Sequence, residues 1–336
     1  MSACPRAREA LREARSIWSG GGARPDAARV DVLIGRLPDA DSAERSTARG
    51  AAHDLRRFGM VVPGPRAETG QAGGVVGIAV LGPFTVTVDG SDVPLTAWRS
   101  KQARTLVKIL TAHRGRVVTR DRLCDLLWPD DDPARTGHRL SVLLATVRTV
   151  LDPTKAWPLD RYLAADQCGV RLDLGAVLVD AELLLADAVH AADLLDRHDT
   201  EAAREVLAHV DALYRGDAFE EEVGEWSDGL REEVRAAWGR SVRRLANLHL
   251  REGRGPEALG LFTRLLGVDP YDEQVHRRLV TGLVRAGRHG EARRAFERWQ
   301  LAMSDIDAPA PDPRLLEPDL CDQRDGRRSD ATLMRR

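Results

Sequence analysis

Two stretches of this chain are near-copies set 34 residues apart, and they fix what its second half can become. Arg251-Glu-Gly-Arg-Gly-Pro-Glu-Ala-Leu259 matches Arg285-Ala-Gly-Arg-His-Gly-Glu-Ala-Arg293, with Ala258 falling on Ala292 and Phe262 on Phe296. That period is the one of tetratricopeptide helix pairs, which stack because a single pair cannot bury its apolar face alone. Small Ala at matched positions lets paired helices approach closely, and Leu266-Gly-Val-Asp-Pro270 supplies the break between them. The pattern from Val179 to Ile306 predicts helix throughout.

The residues ahead of this array read differently. Residues 1–62 carry three short helical patterns, around Ala7 to Trp18, Val30 to Leu37 and Ala51 to Phe58, and the Pro/Gly-rich stretch 63–74 reads as a linker. Residues 75–175 open with β patterning. Phe84, Val86 and Val88 alternate with Thr85 and Thr87 as in a half-buried strand, Asp89-Gly90 signals a hairpin turn, and Val93-Pro-Leu95 is expected as the return strand. A helix follows from about Trp98 to Gly115. Thr119 is placed to cap a second helix, Arg120 to Leu127, and Asp130-Asp-Asp-Pro133 marks the start of a third, running to Leu151. Tyr162-Leu-Ala and Gly169 to Leu174 form a closing hairpin around Asp166-Gln-Cys. Residues 307–336 form a Pro-rich, then charged, tail.

Strands, helix, short strand, helix, helix and hairpin is the order of a winged helix with an N-terminal sheet. At 100° per residue, Leu140, Leu143, Leu144, Val147, Val150 and Leu151 gather on the inner side of the third helix. Arg135, His138, Val142, Ala145 and Thr149 lie opposite, flanked by Arg139, Ser141, Thr146 and Arg148. Such a surface suits a major groove, because Arg reads guanine edges or grips phosphate, hydroxyls bond either, and small apolar groups meet thymine methyls. It equally describes an ordinary solvated helix face. The hairpin supplies the other half of the device, where Arg161 and Arg171 could reach phosphate or the minor groove, or stand as surface charges.

Composition limits the alternatives. Of 50 basic residues only Lys101, Lys108 and Lys155 are lysine, as expected of a G+C-rich genome, so arginine abundance by itself is no nucleic-acid signature. The net charge of −2 averages two unlike parts, since residues 75–174 hold 14 basic against 11 acidic residues and residues 176–306 hold 18 against 25. A mildly basic module therefore precedes an acidic one, and a module at +3 attracts DNA only modestly, which makes a dimer or a polymerase contact more necessary. The four cysteines show no metal-knuckle spacing and are expected as reduced thiols. Met1 to Ala10 lack the apolar core of a secretory signal and no apolar run approaches the roughly 20 residues of a membrane span, so a cytoplasmic place and no membrane partner are expected.

Val80-Leu-Gly-Pro-Phe-Thr-Val-Thr-Val-Asp-Gly90, then Trp98-Arg-Ser-Lys-Gln-Ala-Arg104, then Gly115 to Asp130 resemble the effector domain of SARP-type bacterial activators. Val179 to Ile306 resembles the bacterial transcriptional activator domain that follows it in that family, and residues 1–62 resemble the last repeats of a MalT-like regulator. The resemblance implies a mainly α fold with a small β component: an OmpR-like winged helix-turn-helix with an N-terminal sheet at 75–175, and a tetratricopeptide-like helical domain at 176–306. It implies promoter DNA as a partner, bound by a homodimer on direct repeats, and RNA polymerase contacted through the loop Trp128, Pro129, Asp130, Asp131 and on to Asp132. By position it makes Arg135, His138, Arg139 and Thr146 base-reading candidates and Lys101 and Arg120 phosphate contacts near helix starts, with Arg148, Arg161 and Arg171 completing the DNA-binding set. Many members of the family this chain resembles have a more basic third helix ending in a run of arginines, whereas here only Arg148 stands in Val147-Arg-Thr-Val150.

Enzyme chemistry finds little support. No G-x-x-x-x-G-K-[ST] or G-x-S-x-G sequence occurs, the nine histidines form no HxxxH pair, and neither a cofactor nor a metal is expected. The acidic triplets Asp130–Asp132 and Glu220–Glu222 are read as a helix cap and a solvated helix or loop. Trp128, Trp226, Trp238 and Trp299 are read as core packing. The leading expectation is a non-enzymatic, sequence-specific DNA-binding transcriptional activator. The alternative is a repeat scaffold whose winged helix docks protein rather than DNA. For the helical repeats, a groove for a partner and a role in dimerisation and spacing both remain open.

Overall fold

A computed structural model describes residues 75–317 apart from Val223, and eight isolated helical positions before residue 52. Val30 and Ile34 are helical and buried, as the apolar spacing there predicts; apart from these two and Arg12, Arg15, Asp31, Glu44, Thr47 and Ala51, residues 1–62 lie outside the described residues, as do the linker 63–74 and residues 318–336. Two compact units divide the chain, one of residues 1–186 with 215–231 and one of 187–214 with 232–336.

The first unit starts from a four-stranded sheet in the order β3-β2-β1-β6. Strand β1 (Val76–Ala79) runs antiparallel to β2 (Thr85–Val88), with Ile78 opposite Val86. Asp89 and Gly90 both take positive φ, 52° and 79°, the geometry a two-residue type I′ turn demands. The return strand is β3, Ser91–Asp92, and not Val93 to Leu95. Pro94 has no N–H for the ladder and caps a 3-10 turn, Leu95–Trp98, that buries Trp98.

Three helices follow in the expected places. Helix α1 (Lys101–Ala112) is capped by Ser100 and α2 (Arg120–Leu127) by Thr119, whose hydroxyl accepts from Arg122 N–H. Helix α3 spans Pro133–Leu151. Its inner residues Leu140, Val147 and Leu151 are fully buried, with Leu143, Leu144 and Val150 close behind. The hairpin strands β4 (Leu163–Ala165) and β5 (Val170–Leu172) pair antiparallel, and Val118 joins them through a bridge to Val170. Gly169 makes that bridge possible: a Cβ there would lie 2.3 Å from the Val118 carbonyl oxygen.

The sheet then closes with β6 (Val177–Val179), parallel to β1, so a division of the chain at 175/176 cuts through it. The cap of this closure is Asp180. Its carboxylate accepts from the N–H groups of Val80 at 2.8 Å and Leu81 at 3.1 Å. Burial pushes this carboxyl above its ordinary value, against the N–H donors and Arg215 that favour its charged form. Asp180→Ala leaves two part-buried donors without an acceptor, at about 1–3 kcal/mol each. Loss of a substantial part of the unit's stability is expected in chemical denaturation, with Asp180→Asn intermediate because it keeps one acceptor.

The segment 215–231 also belongs to this unit. Phe219 N–H donates to Val80 O at 3.0 Å, and Glu222 takes the ammonium of Lys108 at 2.6 Å. Lys108 is only 4% exposed and also lies 4.9 Å from the Phe84 ring centroid. The Glu220–Glu222 triplet is thus not uniformly solvated, because Glu222 pairs with the buried ammonium of Lys108.

The second unit is helical. It takes the later part of α4 (Asp180–Asp196), α5 (Thr200–Leu213), the later part of α6 (Glu225–Arg251), then α7 (Gly255–Val268), α8 (Glu273–Arg285) and α9 (His289–Asp305). Ala191, Leu207, Leu245 and Leu248 form one core cluster. The repeat-matched pairs Ala258/Ala292 and Phe262/Phe296 are all buried, as their 34-residue correspondence requires. Trp238 stacks on Tyr214 at 4.4 Å and Trp299 on His276 at 5.8 Å, so both tryptophans pack the core. Residues Pro313–Leu316 form a 3-10 turn against α8 and α9, which brings the start of the tail into the fold.

Candidate nucleic-acid interface

The outward side of α3 carries the surface that the helical pattern predicts. His138, Arg139, Ser141, Val142, Ala145 and Thr149 are exposed and Thr146 is half-buried. Arg135 sits in the first turn, among residues whose side chains are not described. The hydroxyls of Ser141, Thr146 and Thr149 each donate back to the carbonyl four residues earlier, at 3.2, 3.0 and 2.9 Å. Their protons are thereby engaged and their oxygens face outward as acceptors, a pattern matched to base amino groups. Val142 is 53% exposed in the middle of this face, an apolar side chain open to solvent.

Arg139 is not free. Its guanidinium is ion-paired with Asp131 and lies 4.5 Å over the Trp128 ring. Trp128 is buried and Asp131 N–H returns to its carbonyl at 3.2 Å, so the loop between α2 and α3 is built around this contact. A residue expected to read bases and the loop expected to touch polymerase therefore meet at one side chain. Pro129 and Asp130 are exposed beside it.

The remaining candidates divide by what they hold. Arg171 is exposed at the middle of β5, and Lys101 is exposed at the first position of α1. Arg120 opens α2 and donates to the Asp166 carbonyl at 3.4 Å, which ties the helix start to the hairpin turn. Arg161 is half-buried on aromatic rings, 3.8 Å from Trp157 and 5.5 Å from Tyr162. Arg148 turns inward and donates to the Leu163 carbonyl at 3.2 Å, so it braces the hairpin against α3 instead of standing on the outer face. Its flanking place on the helical wheel left both directions open, and the nearby hairpin backbone decides between them.

Two carboxylates position this surface and carry no signal in a helical wheel. Asp166 accepts the N–H groups of Cys168 and Gly169 at 2.7 and 3.1 Å, which shapes the hairpin turn. Asp152 accepts from Ala156 and Trp157 N–H at 3.0 and 2.9 Å and so folds the segment between α3 and β4. Burial raises the Asp152 carboxyl, but these N–H groups and Thr154 outweigh it and hold it below its ordinary value. The signal for both lay in local spacing, an Asp followed two to five residues on by turn-forming residues.

Residues 179–316 match the bacterial transcriptional activator domain. Two curated relatives from Streptomyces coelicolor align with much of the chain. The regulatory protein AfsR is 29% identical over 261 residues, covering 76% of this chain and 25% of AfsR. The transcriptional regulator RedD is 29% identical over 243 residues, covering 70% of this chain and 66% of RedD. The chain thus spans about a quarter of the first and just under two thirds of the second. Among solved structures, Mycobacterium tuberculosis EmbR in complex with a low-affinity phosphopeptide shares the fold at a TM-score of 0.60 and 20% identity, over 75% of this chain and 65% of that one.

Proposed function

We propose that this chain, which has the SARP-type arrangement of a winged helix ahead of a bacterial transcriptional activator domain, is a sequence-specific DNA-binding transcriptional regulator of the activating kind. The carrying observation is the outer face of α3, where exposed His138, Arg139, Val142, Ala145 and Thr149 lie on a helix braced by Arg148 to the β4–β5 hairpin. In this reading α3 enters the major groove, Arg171 on the hairpin and Lys101 at a helix start grip phosphate, and the α2–α3 loop meets RNA polymerase. The helical domain holds a homodimer on direct repeats, and the chain works in the bacterial cytoplasm at the nucleoid without catalysing a reaction.

Selection of genomic fragments by the purified protein at two salt concentrations tests this directly. Enriched fragments should share a repeated motif, and their retention should fall steeply with salt as phosphate contacts release counterions. Arg139→Ala is expected to cost about 1–3 kcal/mol and to relax preference at one base position. No enriched motif at either salt, with Arg139→Ala indistinguishable from the parent in a reporter, would reject the reading. Retention of protein, salt-insensitive and without DNA, would instead support a scaffold whose winged helix docks protein. The engagement of Arg139 by Asp131 and Trp128 is the observation that keeps that second reading in view.

A further inference from the structure

Arg139 lies in the second turn of α3, and it is the N-terminal part of a recognition helix that reaches base edges. Its guanidinium is engaged twice. The Trp128 ring lies 4.5 Å from it, a face that suits a planar guanidinium. That ring is buried, and Trp128 N–H closes α2 on the Cys124 carbonyl at 2.8 Å, so the fold fixes the platform. Asp131 accepts from a single nitrogen, Nη1. Nε and Nη2 have no hydrogen-bond partner among the described residues, and together they form one edge of the guanidinium fork.

Both side chains of the ion pair are close to half exposed, so the pair adds little to stability. Its consequence is for what the arginine can still bind. An edge of two N–H donors fits the O6 and N7 acceptors of guanine. It would fit a phosphate too, but the Asp131 carboxylate already occupies the same guanidinium, and Asp130 is exposed next to it in the chain. A phosphate brought there meets like charge, whereas a guanine edge is neutral. Side-chain freedom is also given up before DNA arrives, and not at the moment of binding.

We propose that Asp131 is a positioning residue which, with the Trp128 ring, makes Arg139 a guanine reader. Nε and Nη2 donate to N7 and O6 of one guanine in the major groove, and Asp131 keeps the same side chain from serving as a phosphate contact. The inference rests on the reading that α3 enters DNA.

The test uses the full chain and the duplex motif selected from genomic fragments. Each guanine of the motif is exchanged in turn for 7-deazaguanine, which pairs normally but lacks the N7 acceptor. One exchange should weaken the parent at least fivefold in fluorescence anisotropy and leave Arg139→Ala unaffected. Asp131→Ala should feel that exchange less than twofold and bind a duplex of unrelated sequence at least threefold more tightly, because the released guanidinium takes phosphate. Asp131→Asn keeps an acceptor for Nη1 without the charge, so it should stay sensitive to the exchange and yet bind the unrelated duplex more tightly. Circular dichroism melting confirms that the variants fold. If no motif is selected at all, the functional reading fails and this proposal with it. If a motif is bound but no single exchange weakens the parent, or Arg139→Ala feels the exchange equally, the functional reading stands and the proposal is overturned. Full discrimination in Asp131→Ala, or none in Asp131→Asn, overturns it in the same way.

Discussion

Glu222→Ala lowers the stability of the first unit by about 3–5 kcal/mol, the range for removing one partner of a buried ion pair. The cause lies less in the lost attraction than in what stays behind. Lys108 is almost fully buried, and without Glu222 its ammonium keeps, among the described residues, only the face of Phe84. Lys108→Met tests the argument from the other side. It removes the buried charge, keeps an unbranched chain of similar length, and leaves Glu222, which is partly exposed, free to hydrate. That variant is expected within about 1 kcal/mol of the parent, and the double variant Lys108→Met with Glu222→Ala should recover most of the loss. Urea denaturation of the four proteins completes the cycle. An equal loss from both single changes would mean that the pair is worth its Coulombic attraction and that burial of the ammonium costs little.

Val142→Glu carries the largest expected effect on DNA. Val142 is 53% exposed, so its replacement should move stability by no more than about 0.5 kcal/mol. In the proposed complex it faces the floor of the groove, where a carboxylate meets phosphate-rich surroundings and has no cation free to pair with it. Like charges brought together at an interface cost several kcal/mol, which is about a hundredfold in affinity at the low end. Gel retardation at fixed salt reads the loss. Val142→Ala should by contrast weaken binding only at one position of the site, where a thymine methyl loses its contact. If Val142→Glu binds as the parent does, α3 does not enter the groove by this face.

Much of this architecture is legible in periodicity alone. The burial of Leu140, Val147 and Leu151 and the outward turn of His138 and Val142 follow from 100° per residue. The repeat-matched alanines and phenylalanines are buried because the same helix contact recurs. The capping of α2 by Thr119 and the turn at Asp89-Gly90 follow from side-chain and backbone chemistry confined to a few residues. What pattern could not supply is pairing across sequence distance. Glu222 meets Lys108 across 114 residues, and nothing near either position announces it. Arg139 stands on the outer face by periodicity, yet Asp131 and Trp128 hold its guanidinium because the loop folds back beside it. Arg148 turns inward for the same kind of reason, since a strand backbone came within reach. Ser91–Asp92 replaced the expected return strand because the 3-10 turn that buries Trp98 claimed the residues beyond it.

The parallel pairing of β1 with β6 sets an order of events during synthesis. Val80 and the carboxylate it donates to are 100 residues apart, and every residue of the three helices and the hairpin lies between them. At about 5–20 residues per second the ribosome needs roughly 5–20 s to deliver the second after the first. For that interval β1 has only β2 beside it, and one edge of the strand stands open to any other extended chain. Its four residues, two of them glycine and alanine, keep that edge short. The sheet is therefore closed only after the three helices and the hairpin have been made, with the segment 215–231 joining the unit later still.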